Sequence, residues 1–391
     1  MELAQNLRKR AESLNLHFEE SNLRRRGQPI LLPRQSSHLG YPEAAYQAYK
    51  KSSITPAGIP TAANSVGLSI EANDVGYFAE VSIGTPPSKF RIILDSGSSD
   101  TWCRNLQSPN EGCNHPTLNT TSSTFRRTNT TFKVAYGTGS VQGVIVSDTL
   151  NLGGLELKNH AFGGITAATK DFAAKNVPFD GIMGTAQSVL SSQKLLTPID
   201  AMAKAGTLSG AFIGYSLGRV SDGDNIGQIT VGGVDQTKFS GDLTLIPNVN
   251  KKGFWEAKMD IVQVDGKKLL TDRTAILDTG TTLVVAPPSD AEALHANIPG
   301  SSKDGKGGFI IPCTTKTKVA LSFGGVSFQI NPVDLTFQPI NDNLKGNCTS
   351  GISSGTIGGP QQWLLGDMFL KNVYFATDST NNQMGLAAIN Q

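Results

Sequence analysis

Two short stretches of this 391-residue chain place acidic side chains where they could do chemistry. Ile93-Leu94-Asp95-Ser96-Gly97-Ser98-Ser99 and Ile276-Leu277-Asp278-Thr279-Gly280-Thr281-Thr282 share one pattern: two aliphatics, an Asp, a hydroxyl residue, a Gly and two more hydroxyl residues. A carboxylate leaving an apolar strand, beside hydroxyls able to donate to it, is a candidate general acid or base. Two such groups in contact resist ionising together, so they share one proton; one member can then activate water while the other donates. That chemistry suits amide hydrolysis and calls for neither metal nor cofactor, and none is expected. Ser98 and Thr281 would orient the carboxylates, and Ser96 and Thr279 would tie the two loops together. Gly97 and Gly280 would let each backbone turn tightly and approach the other.

A single Asp-Ser-Gly is an ordinary turn string. The second copy changes its meaning, because a further signature follows each at nearly the same distance. Ile182-Met183-Gly184 places its Gly 89 residues after Asp95, and Leu364-Leu365-Gly366 places its Gly 88 after Asp278. Matching motifs at matching spacing imply one β unit present twice, related by a pseudo-twofold axis that sets the Asp loops face to face.

The surrounding sequence must supply strands to position those loops. Tyr77 to Gly84 alternates into Gly-Thr-Pro-Pro, and Phe90 to Leu94 is an apolar strand. Gly alone contributes 42 residues, with 38% hydrophobic and only 17% charged, which suits short strands joined by turns and argues against disorder or a long coiled coil. The net charge of +2 gives no broad basic surface for nucleic acid, and no run of about 18 apolar residues suggests a membrane helix. Short helices are expected at 2–13 and 42–50. Gln187 to Ala205 has apolar residues at helical spacing and reads as a packed surface helix, and Ser289-Asp290-Ala291-Glu292 reads as a capping box opening another.

On these motifs, residues 75–391 resemble the pepsin-like aspartic proteases over essentially their full length. The resemblance implies an all-β, bilobal fold with few short helices. Residues 65–240 would form an N-terminal lobe with Asp95, and 241–391 a C-terminal lobe with Asp278. Tyr136-Gly137-Thr138-Gly139-Ser140 resembles the flap hairpin that closes over substrate, and Trp102 the residue that hydrogen-bonds the flap tyrosine. Ile93, Tyr136, Ile182 and Phe172 would line an apolar primary pocket, so cleavage beside large hydrophobic residues is expected, with weak cleavage after Lys because Thr138 stands where some fungal relatives have Asp. Ser96 departs mildly from the commoner Thr. Substrates would be proteins and peptides lying extended across the cleft of an acid-active monomer. A catalytically inactive peptide-binding relative is the rival reading, although the residues such proteins typically lose are all present.

Residues 1–65 carry nine Lys and Arg against five Glu and no Asp, a charge of +4 that leaves −2 for the remainder. By charge alone this is a basic tail followed by an exposed linker, Ser52 to Asn64. With the resemblance it becomes an inhibitory prosegment, 1–64, released in acid, with Lys50 or Lys51 pairing with Asp95 and Asp278. Four cysteines permit three pairings, and the neighbour pairs Cys103–Cys113 and Cys313–Cys348 are the simplest expectation. Asn119, Asn129 and Asn347 each begin a glycosylation triplet. Together they favour a secreted protein, with the vacuole as alternative. The residues after Met1 cannot form a signal peptide, so the sequence is expected to start after one was removed.

Other signals carry no chemistry. Gly351-Ile352-Ser353-Ser354-Gly355 fits G-x-S-x-G but reads as a loop rather than a nucleophile elbow. Gly137-Thr138-Gly139 lacks the rest of a dinucleotide fingerprint. Asp222-Gly223-Asp224-Asn225 reads as a turn, and the scattered histidines have no expected role.

Overall fold

The computed structural model describes residues 40–104, 115–136, 139–173 and 177–390. The expected helix at 2–13, most of the basic segment, Cys113, Gly137 and Thr138 lie outside the described residues.

The duplicated motif is a duplicated piece of topology. In the first half, strand Ser88–Asp95 runs parallel to Gly181–Gly184, with Asp95 opposite Gly184. Gly181–Gly184 pairs antiparallel with Thr101–Cys103, which runs parallel to Leu155–Ala168. In the second half, strand Lys267–Leu277 runs parallel to Gln362–Leu365. Gln362–Leu365 pairs antiparallel with Val284–Ala286, which runs parallel to Asn347–Ser354. Three pairings of the same sense recur in the same order. A parallel neighbour cannot be reached by a hairpin, so each apolar-apolar-Gly strand lies far along the chain from the Asp strand it supports.

A central sheet joins the halves. Its six strands run Phe239–Pro247, Gln383–Ile389, Val373–Asp378, Phe212–Ser216, Gln228–Val231 and Ser65–Glu71, three from each half in mirrored sequence order. At its middle Tyr215 lies opposite Phe375, and their rings stack 5.3 Å apart at 18°. Ser65–Glu71 continues into Gly76–Ile83, so the first-half strands and the central strands form one 14-stranded sheet, beside a ten-stranded sheet in the second half. This is the mainly β, two-lobed architecture that the family resemblance implies. Trp102, Trp255 and Trp363 are fully buried in it. Among the described residues, no helix is long and apolar enough to cross a membrane.

Several local expectations are corrected. Gln187 to Ala205 is not one helix: only a 3-10 turn at Ser188–Leu190 and a helix at Pro198–Lys204 form. Buried Asp100 accepts from Ser191 Oγ (2.8 Å), Ser192 N (3.1 Å) and Gln193 N (2.8 Å), holding the chain in turns. Pro198, which has no amide hydrogen to give, then sits in the first helical turn behind Thr197 as cap. The Ser289 capping box is absent, because helix Pro288–His295 starts earlier and has no side-chain cap. The carboxylate of Asp290 instead accepts from Arg273 and Trp363. Gly351-Ile352-Ser353-Ser354 is strand rather than loop, with Ser353 opposite both Val285 and Gly308. Cys313–Cys348 is a disulfide, as expected. Cys103 is a free thiol whose side chain lies in the main apolar core, where burial pushes its pKa up; Cys113, its expected partner, lies outside the described residues.

The largest correction concerns Lys50. Helix Glu43–Lys51 does form, and it buries Ala45 and Ala48. Tyr41 and Ala45 pack on the Cys313–Cys348 disulfide, and Tyr41 Oη donates to the Phe337 carbonyl (2.8 Å). Lys50 pairs with Asp342 at 2.7 Å, so the expected pairing of Lys50 with the dyad is overturned: this anchoring takes its charge to the second half's surface. Lys51 is exposed at the end of the same helix. Beyond it, Ile54–Thr55 pairs with Ile70–Glu71, which ties down the start of the expected linker, while Ile59 is 95% exposed.

One buried charge cluster crosses the junction. Lys371 Nζ lies 2.8 Å from Asp74 and 2.9 Å from Asp334, and Arg219 Nη2 lies 2.9 Å from Asp334. Burial raises the Asp334 pKa, but Arg219 and Lys371 together hold it below the ordinary value. Its contribution is therefore present at neutral pH and lost as pH falls through the folded-state pKa. Lys371→Met, which strands buried carboxylates, should cost about 3–5 kcal/mol in denaturant unfolding at neutral pH, with a smaller gap in acid. Unchanged stability would contradict this role.

Candidate active site

The two Asp loops meet where the pseudo-twofold axis passes. Ser96 N donates to Thr279 Oγ1 (3.0 Å), and Thr279 N donates to Ser96 Oγ (2.9 Å). Each hydroxyl then donates onward to the opposite strand end, Ser96 Oγ to the Leu277 carbonyl (2.9 Å) and Thr279 Oγ1 to the Leu94 carbonyl. Each buried hydroxyl thus donates once and accepts once, and neither loop can shift without breaking bonds to the other.

That lattice aims the carboxyl groups. Asp95 accepts from Gly97 N (2.8 Å) and Ser98 Oγ (2.5 Å). Asp278 accepts from Gly280 N (2.8 Å) and Thr281 Oγ1 (2.5 Å), the same pattern. The glycines are required by contact across the axis. A Cβ on Gly97 would lie 2.4 Å from Asp278 Oδ1, and one on Gly280 would lie 2.3 Å from Asp95 Oδ1. Both carboxyl residues are buried, Asp95 at 7% exposure and Asp278 at 3%. Burial, followed by the charge and hydrogen bond of Asp95, raises the Asp278 pKa well above the ordinary carboxylate value; the Thr281 and Gly280 donors oppose this without cancelling it. Asp278 therefore keeps its proton at a pH where an exposed carboxyl would have lost it.

The other expected site residues gather on the first-half side. Trp102 Nε1 donates to Tyr136 Oη (2.8 Å), the pairing expected from the motif. Phe172 meets Trp102 edge-on at 5.7 Å and Tyr136 at 5.3 Å. Ile93, Trp102, Phe172 and Ile182 belong to one apolar cluster, with Tyr136 packed against it. Tyr136 ends the strand Arg126–Tyr136, whose hairpin partner is Gly139–Leu152. Away from the site, Asn129 and Asn347 are exposed, and half-buried Asn119 accepts from Thr121 Oγ1 (2.7 Å).

Three residues with no local sequence signal also support the loops. Thr185 N donates to the Asp95 carbonyl (2.8 Å), Tyr215 Oη bonds Thr185 Oγ1 (2.7 Å), and Trp255 Nε1 donates to the Thr185 carbonyl (3.0 Å). They are distant in sequence and converge only through the fold. His115, which had no expected role, lies 2.6 Å from Asp180.

Gly280→Ala tests the close approach. Its Cβ must displace the Asp95 carboxyl, so kcat for peptide hydrolysis should fall by at least ~100-fold, the scale of a roughly 1 Å misplacement. Wild-type kcat in that variant would refute the geometry.

Comparison with known proteins agrees with this arrangement. Residues 76–389 match the eukaryotic aspartyl protease family. A probable aspartic-type endopeptidase CTSD of Arthroderma benhamiae is 40% identical over 347 residues, covering 87% of this chain and 67% of the relative. Rhizopuspepsin of Rhizopus chinensis is 32% identical, covering 89% and 87%, and gastricsin of Mus musculus is 34% identical, covering 80% and 81%. With a family match across most of its length and the paired Asp loops at its centre, the chain belongs to the eukaryotic aspartyl proteases.

Proposed function

We propose that Asp95 and Asp278 hydrolyse peptide bonds in acid by holding one water between them and sharing one proton. The observation that carries this reading is the apposition of two buried carboxyl groups with matching hydrogen-bond donors, one with its pKa raised by burial and by the other. In the first step the ionised carboxylate takes a proton from water as the oxygen bonds to the scissile carbonyl carbon. The protonated carboxyl gives its proton to the carbonyl oxygen, leaving a neutral gem-diol and no charge to stabilise. In the second step a diol proton returns to one carboxylate as C=O reforms, the amine nitrogen takes a proton from the other, and the C–N bond breaks. The pair ends with one proton, as it began.

Tyr136, held by Trp102, would close over the substrate with its hairpin, and the apolar wall of Ile93, Phe172 and Ile182 would favour large hydrophobic residues beside the cleaved bond. The lobes would divide near residue 240, with the extended substrate between them. Residues 1–64 would be a removable segment, anchored through Tyr41, Ala45 and the Lys50–Asp342 pair. Lys50 and Tyr46 hold the Asp342 pKa below the ordinary value, so that pair is present at neutral pH and lost as pH falls through the folded-state value. Acid would loosen the anchor while bringing the carboxyl pair to its working protonation state. Secretion remains the destination that the disulfide and the exposed Asn129 and Asn347 triplets favour.

At pH roughly 3 to 4, where carboxyls titrate, wild-type protein should cleave a Phe-containing peptide and lose an N-terminal piece by mass. Asp95→Asn, with an unchanged circular dichroism spectrum, should do neither, with activity down by about 1,000-fold or more. Undiminished proteolysis in that variant would refute the assignment.

A further inference from the structure

The catalytic loops are tied a second time, beneath the Ser96–Thr279 exchange. The Asp95 carbonyl accepts from Thr185 N (2.8 Å), and the Thr185 carbonyl accepts from Trp255 Nε1 (3.0 Å). The Trp255 carbonyl accepts from Leu277 N (2.9 Å), and the Leu277 carbonyl accepts from Ser96 Oγ (2.9 Å). Ser96 follows Asp95 and Leu277 precedes Asp278, so these four bonds close a ring that contains both loops. Two of the bonds are backbone to backbone and form with any sequence of this fold. The other two need particular side chains, Ser96 and Trp255. An indole has a single N–H to give, and Trp255 is fully buried, so that donor is committed to Thr185.

Thr185 is itself fixed from the side. Tyr215, at the middle of the central sheet, bonds its hydroxyl at 2.7 Å. The residue opposite Tyr215 across the axis is Phe375, which has no hydroxyl. Phe375 therefore cannot hold the Asp278 side as Tyr215 holds the Asp95 side.

We propose that Trp255 is a positioning residue for hydrolysis: through its indole N–H and Thr185 it sets the separation of the Asp95 and Asp278 carboxyl groups, with Tyr215 locking Thr185 in place. This inference rests on the reading of the two Asp residues as the hydrolytic pair. Asp95 is the charged group that acts on Asp278. Tyr215 from the central sheet and Tyr136 from the hairpin also face the pair, and Asp100 lies near Tyr136. Burial pushes both phenols up, so they stay neutral throughout the acid range. Asp95 is therefore the chief charge acting on the Asp278 proton. Cutting the strut lets the two carboxyl groups relax apart, weakens their repulsion and draws their two apparent pKa values together. The bell-shaped pH–rate profile then narrows, its alkaline limb moving to lower pH.

The test compares Trp255→Phe, Tyr215→Phe and Trp363→Phe in the full chain. Trp363 is also fully buried, and its indole bonds Asp290 (2.9 Å) outside the ring, so it reports the loss of an indole alone. Trp255→Phe should lower kcat about tenfold with KM within about twofold, and move the alkaline limb down by roughly half a pH unit. Tyr215→Phe, which keeps the stacked ring, should act in the same direction with about a threefold loss. Trp363→Phe should lower the melting temperature without moving the limb. Wild-type kcat and limb in both Trp255→Phe and Tyr215→Phe would overturn the proposal, as would a shift in Trp363→Phe equal to that in Trp255→Phe. If Trp255→Phe does not fold, Tyr215→Phe decides alone. An Asp95→Asn variant run alongside separates the failures: if it stays active the hydrolytic pair itself is wrong, and if it is inactive while the strut variants match wild type, only the strut is wrong.

Discussion

Two carboxyl groups that would repel each other if both were ionised are pressed together in a buried space, and the rest of the structure serves that apposition. Its cost is met by hydrogen bonds. Each Asp accepts from a backbone N–H two residues on and a hydroxyl three residues on. The Ser96 and Thr279 hydroxyls then lock the two backbones together in both directions. Glycine at 97 and 280 follows from the same constraint, since any side chain there would occupy the space of the opposing carboxyl.

Duplication supplies the symmetry, and the departures from it are informative. The strand pairings repeat, and the central sheet places Tyr215 against Phe375 on the axis. A symmetric scaffold around two like charges still has to settle which carboxyl holds the proton. Here the more buried member, Asp278, has the pKa raised by burial and by its neighbour. The Tyr215 hydroxyl and the Trp255 indole both reach the Asp95 side through Thr185. The asymmetry of the pair is built from side chains laid over a common backbone plan.

The catalytic loops were legible in the sequence because their chemistry is local: donor and acceptor sit within three residues of each Asp, and the repeat made the pattern stand out. The spacing of the Gly184 and Gly366 signatures makes the duplicated β unit legible, and the family resemblance carries it to two lobes. What was not legible depends on partners far apart in the chain. Thr185, Tyr215 and Trp255 share no motif and meet only because parallel strands and the central sheet bring them together. Gln187 to Ala205 had helical spacing, but three bonds to Asp100 outweighed that weak local preference. Charge and distance along the chain do not fix the place of Lys50; Tyr41, Ala45 and the disulfide they pack on decide where its helix docks. Proximity in sequence says nothing of burial, and the fold turns the Cys103 side chain into the core.

The central claim is that Asp95 and Asp278 behave as one titrating pair, and carboxyl NMR titration with labelled aspartate tests it most directly. The account predicts that the two side chains lose their protons in two well-separated steps, the upper one well above the ordinary carboxylate range, and that Asp95→Asn draws the Asp278 titration downward. Two independent titrations, each at an ordinary carboxylate pKa and unaffected by that substitution, would contradict it.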